Sequence, residues 1–214
     1  MTTLLAEFLP VSISLDETQL AQCARHLQRV LETNKKFNLT SITDPREAVI
    51  KHVIDSLLPS QLYADAETIL DLGSGPGYPG IPLAIIYPDK RLHLVDSTQK
   101  KARFLQEVAD ELELPNVTVH AQRGEAVLKS LPMDEIDLLT ARAVGSIEKL
   151  LNVLKPVRNR FGKMLLFKGQ RAEEELEAAA LILKNLKLTA EICFRYELPE
   201  GMGSHCVVEI KRSR

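Results

Sequence analysis

The residues Asp71-Leu72-Gly73-Ser74-Gly75-Pro76-Gly77 have the make-up of a turn that brings backbone close to a small ligand. Glycine permits positive φ there, and a Cβ would hold the chain away from whatever binds. The apolar run Thr68-Ile69-Leu70 precedes the turn and Ile81-Pro82-Leu83-Ala84-Ile85-Ile86 follows it, which reads as strand, glycine turn, helix start. A second candidate is Asp96, nineteen residues after Gly77 at the end of the run Leu92-His93-Leu94-Val95. A carboxylate at that place can accept both hydroxyls of a ribose. It can also cap the helix that follows Ser97-Thr98, and the two roles are compatible. A third is Arg142, closing Leu138-Leu139-Thr140-Ala141. A surface ion pair, usually worth under about 1 kcal/mol, is one role for it. Contact with a substrate is the role favoured here, because Arg142 opens a one-signed stretch.

Residues 142–171 hold Arg142, Lys149, Lys155, Arg158, Arg160, Lys163, Lys168 and Arg171 against the single acid Glu148. Solvated faces are normally mixed in sign. Together with Lys35, Lys36, Lys100, Lys101 and Arg103, the stretch predicts a basic surface above the site that would hold phosphates. Arg142 and Lys168 are the candidates to hold a guanine O6 edge or backbone phosphates.

These groups need a scaffold. Residues 1–65 read as a helical extension: a helix opens at Asp16-Glu17 with apolar positions Leu20, Cys23, Ala24, Leu27, Val30 and Leu31 at helical spacing. Another opens at Asp44-Pro45, with Asp44 as cap and Pro45 in the first turn. Residues 66–214 alternate strands and helices. Strands are predicted over 68–72, 91–96, 116–121, 136–141, 162–168, 188–197 and 205–211, and helices over 79–87, 98–113, 123–130, 146–156 and 171–185. Alternation implies an α/β fold with a mostly parallel seven-stranded sheet covered on both faces. The last two strands, joined by Pro199-Glu200-Gly201-Met202-Gly203, read as a closing antiparallel hairpin.

A dinucleotide fingerprint would need a glycine where Tyr78 stands, and an apolar residue where Asp71 stands. Asp-x-Gly-x-Gly-x-Gly instead resembles motif I of the Rossmann-like class I S-adenosyl-L-methionine (SAM) methyltransferases. That resemblance implies SAM against Gly73, Gly75 and Gly77, the ribose at Asp96, and the adenine near Gly124-Glu125. The bland role of Glu125 is an acid at a helix start.

More of the chain points to one family. Asn38-Leu39-Thr40-Ser41 with Asp44-Pro45, His52-Val53-Ile54-Asp55-Ser56-Leu57, the turn continued through Tyr78-Pro79-Gly80-Ile81-Pro82, Asp96-Ser97, Lys101 with Arg103-Phe104-Leu105, Thr140-Ala141-Arg142-Ala143 and Leu166-Phe167-Lys168-Gly169 resemble the bacterial 16S rRNA guanine-N7 methyltransferase G (glucose-inhibited division protein B) family. The resemblance spans about residues 30–210. It implies methyl transfer from SAM to N7 of a guanine in the 530 loop of 16S rRNA (position 527), with naked rRNA or the 30S particle as partner. Gly73, Tyr78, Gly124, Glu125 and Arg142 would bind the cofactor or line its pocket. His52, Asp55 and Ser56 either face substrate or join the helical extension to the sheet.

Chemistry narrows the acceptor too. Cytosine-C5 methylation needs a Pro-Cys nucleophile, and neither Cys23, Cys193 nor Cys206 follows a proline. Adenine amino methylation usually shows an Asp/Asn-Pro-Pro-aromatic loop, where this chain has Ala141-Arg142-Ala143. Guanine N7 has a free lone pair and needs no base. A SAM methyltransferase acting on another RNA site or a small molecule remains the alternative, followed by a non-catalytic RNA-binding module and an NAD-dependent oxidoreductase. The 214 residues, 45% hydrophobic and 26% charged, fit an ordinary globular chain, with net charge −2 excluding a globally basic nucleic-acid binder. No apolar run is long enough to span a membrane, no signal peptide is read, and three cysteines without CxxC spacing argue against a metal site or disulfides. A cytoplasmic monomer is the expectation.

Overall fold

The computed structural model describes residues 1–133 and 135–213. Its centre is a seven-stranded sheet in the order β3-β2-β1-β4-β5-β7-β6. The strands are β1 (Thr68–Leu72), β2 (Arg91–Val95), β3 (Val117–His120), β4 (Ile136–Arg142), β5 (Phe161–Lys168), β6 (Leu188–Glu197) and β7 (Ser204–Arg212). β1 to β5 are parallel, whereas β7 runs antiparallel to both β5 and β6. This is the expected class I methyltransferase topology, and every predicted strand lies within about two residues of its expected ends.

The helices are α1 (Thr2–Phe8), α2 (Glu17–Asn34), α3 (Pro45–Ala48), α4 (Asp55–Leu57), α5 (Gly80–Ile86), α6 (Gln99–Glu111), α7 (Gly124–Ser130), α8 (Ile147–Leu154) and α9 (Ala172–Leu186). Asp16 caps α2 in a reciprocal box with Gln19, and Asp44 accepts from the Glu47 N–H at 2.8 Å. Two features escape the sequence periodicity: the short helix α1, and a π-helical turn, Val49–Ile54, that joins α3 to α4.

Strand side chains alternate between two cores, as the pleat requires. Ile69, Leu92, Leu94, Leu138, Leu165 and Val207 pack with α2, α5 and α6. Leu70, Val95, Leu139, Leu166 and Val208 pack with α7, α8 and α9. The first core also takes in Leu5, Val53 and Leu57, so the N-terminal helices share apolar contacts with the sheet. Tyr63 reinforces this join through a 2.7 Å hydrogen bond between its hydroxyl and Thr140 Oγ1.

The strand order reverses between β1 and β4, and clefts in such sheets open there, at the carboxyl ends. What pins the glycine turn is Asp71, wholly buried at the end of β1. Its Oδ2 accepts from the Gly80 N–H at 3.0 Å, which holds the first residue of α5 against the strand. A Cβ at Gly80 would lie 2.2 Å from Leu94 Cδ2 and 2.7 Å from Asp71 Oδ2. Gly80→Ala is therefore expected to destabilise the fold by about 1–3 kcal/mol through overpacking. A denaturation midpoint equal to that of the parent would show that the contact relaxes freely.

Candidate active site

Beyond β1 the chain folds back over the end of β2. The amides of Gly73 and Ser74 both donate to Val95 O, at 2.8 and 3.0 Å. Gly73, Gly75 and Gly77 have φ of +71°, +56° and +99°, which side chains other than glycine seldom adopt. Their surroundings differ. At Gly77 a Cβ would meet Ile81, His26 and Leu105 within 3.1 Å, so this glycine serves packing between α2 and α6. At Gly75 it would meet only Gly73 O, at 3.8 Å, so the Cα faces open space.

A cavity of about 280 Å³ opens beside the turn, lined by Gly73, Asp96, Ser97, Gly124, Glu125 and Val144 among others. Asp96 is nearly buried and oriented by backbone: Oδ2 accepts from Gly75 N–H at 3.1 Å, Oδ1 from Thr98 N–H at 2.8 Å. The N-cap of α6 is Thr98, so Asp96 does not cap that helix, and each of its oxygens keeps a lone pair of the kind a ribose hydroxyl needs. Gly124 packs its Cα against Leu72, where a Cβ would sit 2.0 Å from Cδ1. Of the residues expected at the cofactor, Gly73, Asp96, Gly124 and Glu125 line this cavity, whereas Gly75, Gly77, Tyr78 and Arg142 lie outside its wall.

Arg142 sits instead over the helical extension. Its Nη1 donates to Lys51 O at 2.8 Å and to Asp55 Oδ2 at 2.9 Å, and Nη2 meets His52 Nδ1 at 3.2 Å. Asp55 Oδ1 accepts from the Tyr196 hydroxyl at 2.6 Å and from His205 Nδ1 at 2.8 Å. One carboxylate thus joins the π-helical turn to β4, β6 and β7. Burial opposes ionisation of Asp55, but His205 and Arg142 together hold its carboxyl below the usual range. His52 is pushed down to about 3, by burial first and the Arg142 charge second. Neutral His52 accepts on Nδ1 and donates from Nε2 towards Thr40 Oγ1 at 3.1 Å. Tyr78 fills the space beneath, its ring stacked on His52 at 4.7 Å, beside His26 at 4.5 Å and under the Arg142 guanidinium at 5.4 Å.

Over this network lies a second cavity of about 400 Å³, between Thr40, Ser41 and Ile42 of the extension and Arg142, Phe167 and Lys168 of the sheet. Lys168 reaches its edge with the ammonium engaged, donating to Gly145 O and Glu175 Oε2, both at 2.7 Å. Three of the predicted pieces therefore converge: the glycine turn, Asp96 and Arg142 with Lys168 all lie at the carboxyl edge of β1, β2, β4 and β5.

The one-signed stretch does not form one surface above the site. α8 leads away from that edge, so Lys155, Arg158, Arg160 and Lys163 fall towards the opposite end of the sheet. Arg142, Lys149, Lys168 and Arg171 stay at the site end. Sequence reasoning also left Tyr196 and His205 unmarked as partners of Asp55, some 141 and 150 positions away in the chain.

The model of the GidB family, described as rRNA small subunit methyltransferase G, matches residues 19–193. The chain belongs to that family. It is 40% identical over 207 residues to the ribosomal RNA small subunit methyltransferase G of Solibacter usitatus, covering 97% of both chains. It is 46% identical over 177 residues to the one of Sorangium cellulosum, covering 81% of this chain and 74% of that one. The fold is also that of an O-methyltransferase from Bacillus cereus in complex with SAH, at TM-score 0.60 and 14% identity over 94% of each chain. Within the GidB framework, the Asp55–Arg142 network is the polar tie between the extension and β4, β6 and β7.

Buried histidines make this join acid-sensitive. His26 is pushed down to about 4, by burial against the hydrogen bond it makes with Pro76 O, and His52 to about 3. Below about pH 6.5 the unfolded chain protonates both, while the folded chain does not, so stability falls with pH. Asp71, pushed up to about 6 by burial, opposes this between about pH 6 and 4, but as one group against two. The thermal midpoint is expected to fall between about pH 7 and 4.5, and His52→Gln to flatten that slope. An unchanged slope in the variant would contradict a neutral, buried His52.

Proposed function

We propose that the chain transfers the methyl group of SAM to N7 of a guanine in the 530 loop of 16S rRNA, with the cofactor in the Gly73–Asp96–Glu125 cavity and the guanine in the neighbouring one under Ile42. Membership of the GidB family carries the reading. No helix among the described residues is long and apolar enough to cross a membrane. A cytoplasmic monomer acting on rRNA or the 30S particle, with residues 1–65 as a cap on a methyltransferase domain over 66–214, completes the proposal.

The first cavity suits the cofactor by its donor set: a carboxylate oriented by two amides for a diol, a second carboxylate at Glu125, and a wall where glycine replaces any Cβ. SAM supplies an electrophilic methyl on a sulfonium sulfur. N7 attacks in line, and positioning and water exclusion supply much of the rate. With SAM held by Asp96 and Glu125, transfer of its methyl to N7 would leave the guanine ring carrying the positive charge that the sulfonium gives up. N7 has no proton to lose, so no general base is required. The task of this chain is to bind and aim the base without opposing its growing charge. Arg142 suits this, because Asp55 neutralises it and two of its five N–H groups have no partner among the described residues, leaving them to O6 or a phosphate. Phe167 and Ile42 offer apolar contact to the ring.

Incubation of the protein and SAM with 16S rRNA and with 30S particles from a strain lacking the modification should yield 7-methylguanine in the 530 loop of at least one of them. Arg142→Lys keeps the charge and loses the forked geometry, and is expected to lower kcat/KM at least about tenfold. Absence of 7-methylguanine with active cofactor would overturn the reading, and full activity of the lysine variant would remove Arg142 from it.

A further inference from the structure

His26 is a polar ring inside an apolar stripe. On α2 it stands among Cys23, Ala24, Leu27 and Val30, all buried, and it is itself wholly buried. A polar group in such a place needs a partner. Its partner lies in the glycine turn, where Nε2 is 2.7 Å from Pro76 O. A carbonyl oxygen only accepts, so Nε2 carries the proton. Burial pushes the imidazole down to about 4, so at neutral pH the ring is uncharged and Nδ1 bears no hydrogen. Nδ1 has no partner among the described residues. The whole polar engagement of this side chain is the one bond to Pro76.

That bond falls where the strands leave the turn half-held. The Gly73 and Ser74 amides are fixed on Val95 O, and the Gly75 amide on Asp96 Oδ2 at 3.1 Å. In the Pro76–Gly77 peptide the N–H donates to Ser74 O at 2.8 Å, and the carbonyl accepts from His26. Among the described residues His26 is the only side chain of the extension that hydrogen-bonds the turn. Proline fixes its own φ, but ψ of Pro76 and φ of Gly77 are free to turn this peptide together. Gly75, whose Cα faces open space, stands between the Asp96 anchor and the His26 anchor. The ring lies directly on the turn: a Cβ at Gly77 would be 3.0 Å from Nε2.

Building on the SAM reading above, we propose that His26 is a positioning residue, whose Nε2–H holds the Pro76 carbonyl and keeps the glycine turn in the shape that receives the cofactor. The helical extension then serves both cavities. It roofs the acceptor side with Thr40, Ser41 and Ile42, and it braces the cofactor side from behind through His26. The two supports share one column of rings: His26 lies against Tyr78, and Tyr78 stacks on His52, the partner of Arg142. His26 lines neither cavity, so its loss is felt in SAM binding and not in the chemical step.

The test reads SAM affinity by calorimetry, with kcat and the KM values for SAM and RNA on unmodified 16S rRNA or 30S particles. Every variant is measured below its thermal midpoint. His26→Phe keeps a ring beside Tyr78 and loses the donor. His26→Leu, a strong helix former, also lacks the donor and serves if the phenylalanine crowds the turn. His26→Gln returns a donor of similar reach. Leu27→Ala weakens the packing of the same helix and removes no hydrogen bond to the turn. The two donor-free variants should bind SAM at least about tenfold more weakly, with KM for SAM raised to match. Their kcat at saturating SAM and their KM for RNA should stay within about twofold of the parent. His26→Gln should recover most of the affinity, and Leu27→Ala should lower the thermal midpoint with SAM affinity unchanged. Donor-free variants that bind SAM like the parent, or a glutamine variant no better than they are, would overturn the role. So would a loss confined to kcat, or an equal loss of affinity in Leu27→Ala. If the parent itself binds no SAM, the cofactor reading fails and His26 loses its role with it.

Discussion

Asp55 paired with Arg142 is the contact on which the working edge depends. The carboxylate is almost wholly buried and takes three charged or polar donors, from β4, β6 and β7. Removing one partner of such a pair leaves a buried charge and costs about 3–5 kcal/mol, well above any surface pair in this chain. The pair also decides geometry. Asp55 sits just after the π-helical turn, and Lys51 O within that turn accepts from the same guanidinium. The segment 40–42 roofs a cavity because this anchor sets the extension down over β4 and β5.

The same pair reconciles charge with chemistry. Methylation at N7 creates a cation on the base, which an unpaired arginine beside it would oppose. With Asp55 ionised and His52 neutral, the Arg142 charge beneath the second cavity is balanced by Asp55 while the guanidinium still offers donors. Tyr78 supports it as a flat surface between two histidines, an insulating role for a ring whose hydroxyl has no partner among the described residues.

Much of this was legible in the sequence. Short apolar runs alternating with helical segments located every strand, and the closing glycine-rich turn located the hairpin. Asp96 was readable as an acid at a strand end, where the structure holds its oxygens on the Gly75 and Thr98 amides. The rest was hidden for physical reasons. The alternatives for His52, Asp55 and Ser56 stayed balanced because the partners that decide, Tyr196 and His205, come from strands at the far end of the chain. The basic run misled because charge counts carry no direction: α8 crosses the sheet edge to edge, so half of that run leaves the site. Tyr78, read next to the cofactor turn, points away from that cavity because the turn hands over to α5 right behind it. The ion pair of Lys168 was likewise invisible while Glu175, its partner seven positions on, read only as part of an acidic helix.

The central claim is that Asp55 and Arg142 act as one unit that seats the cap and shapes the acceptor cavity. A double-mutant cycle with Asp55→Asn and Arg142→Gln, read as unfolding free energy and as kcat/KM on unmodified 16S rRNA, measures it most directly. The account predicts strong non-additivity in both readouts, with a coupling energy of about 1–3 kcal/mol, as for residues in direct contact. Additive effects within about 0.3–0.5 kcal/mol in both would contradict it.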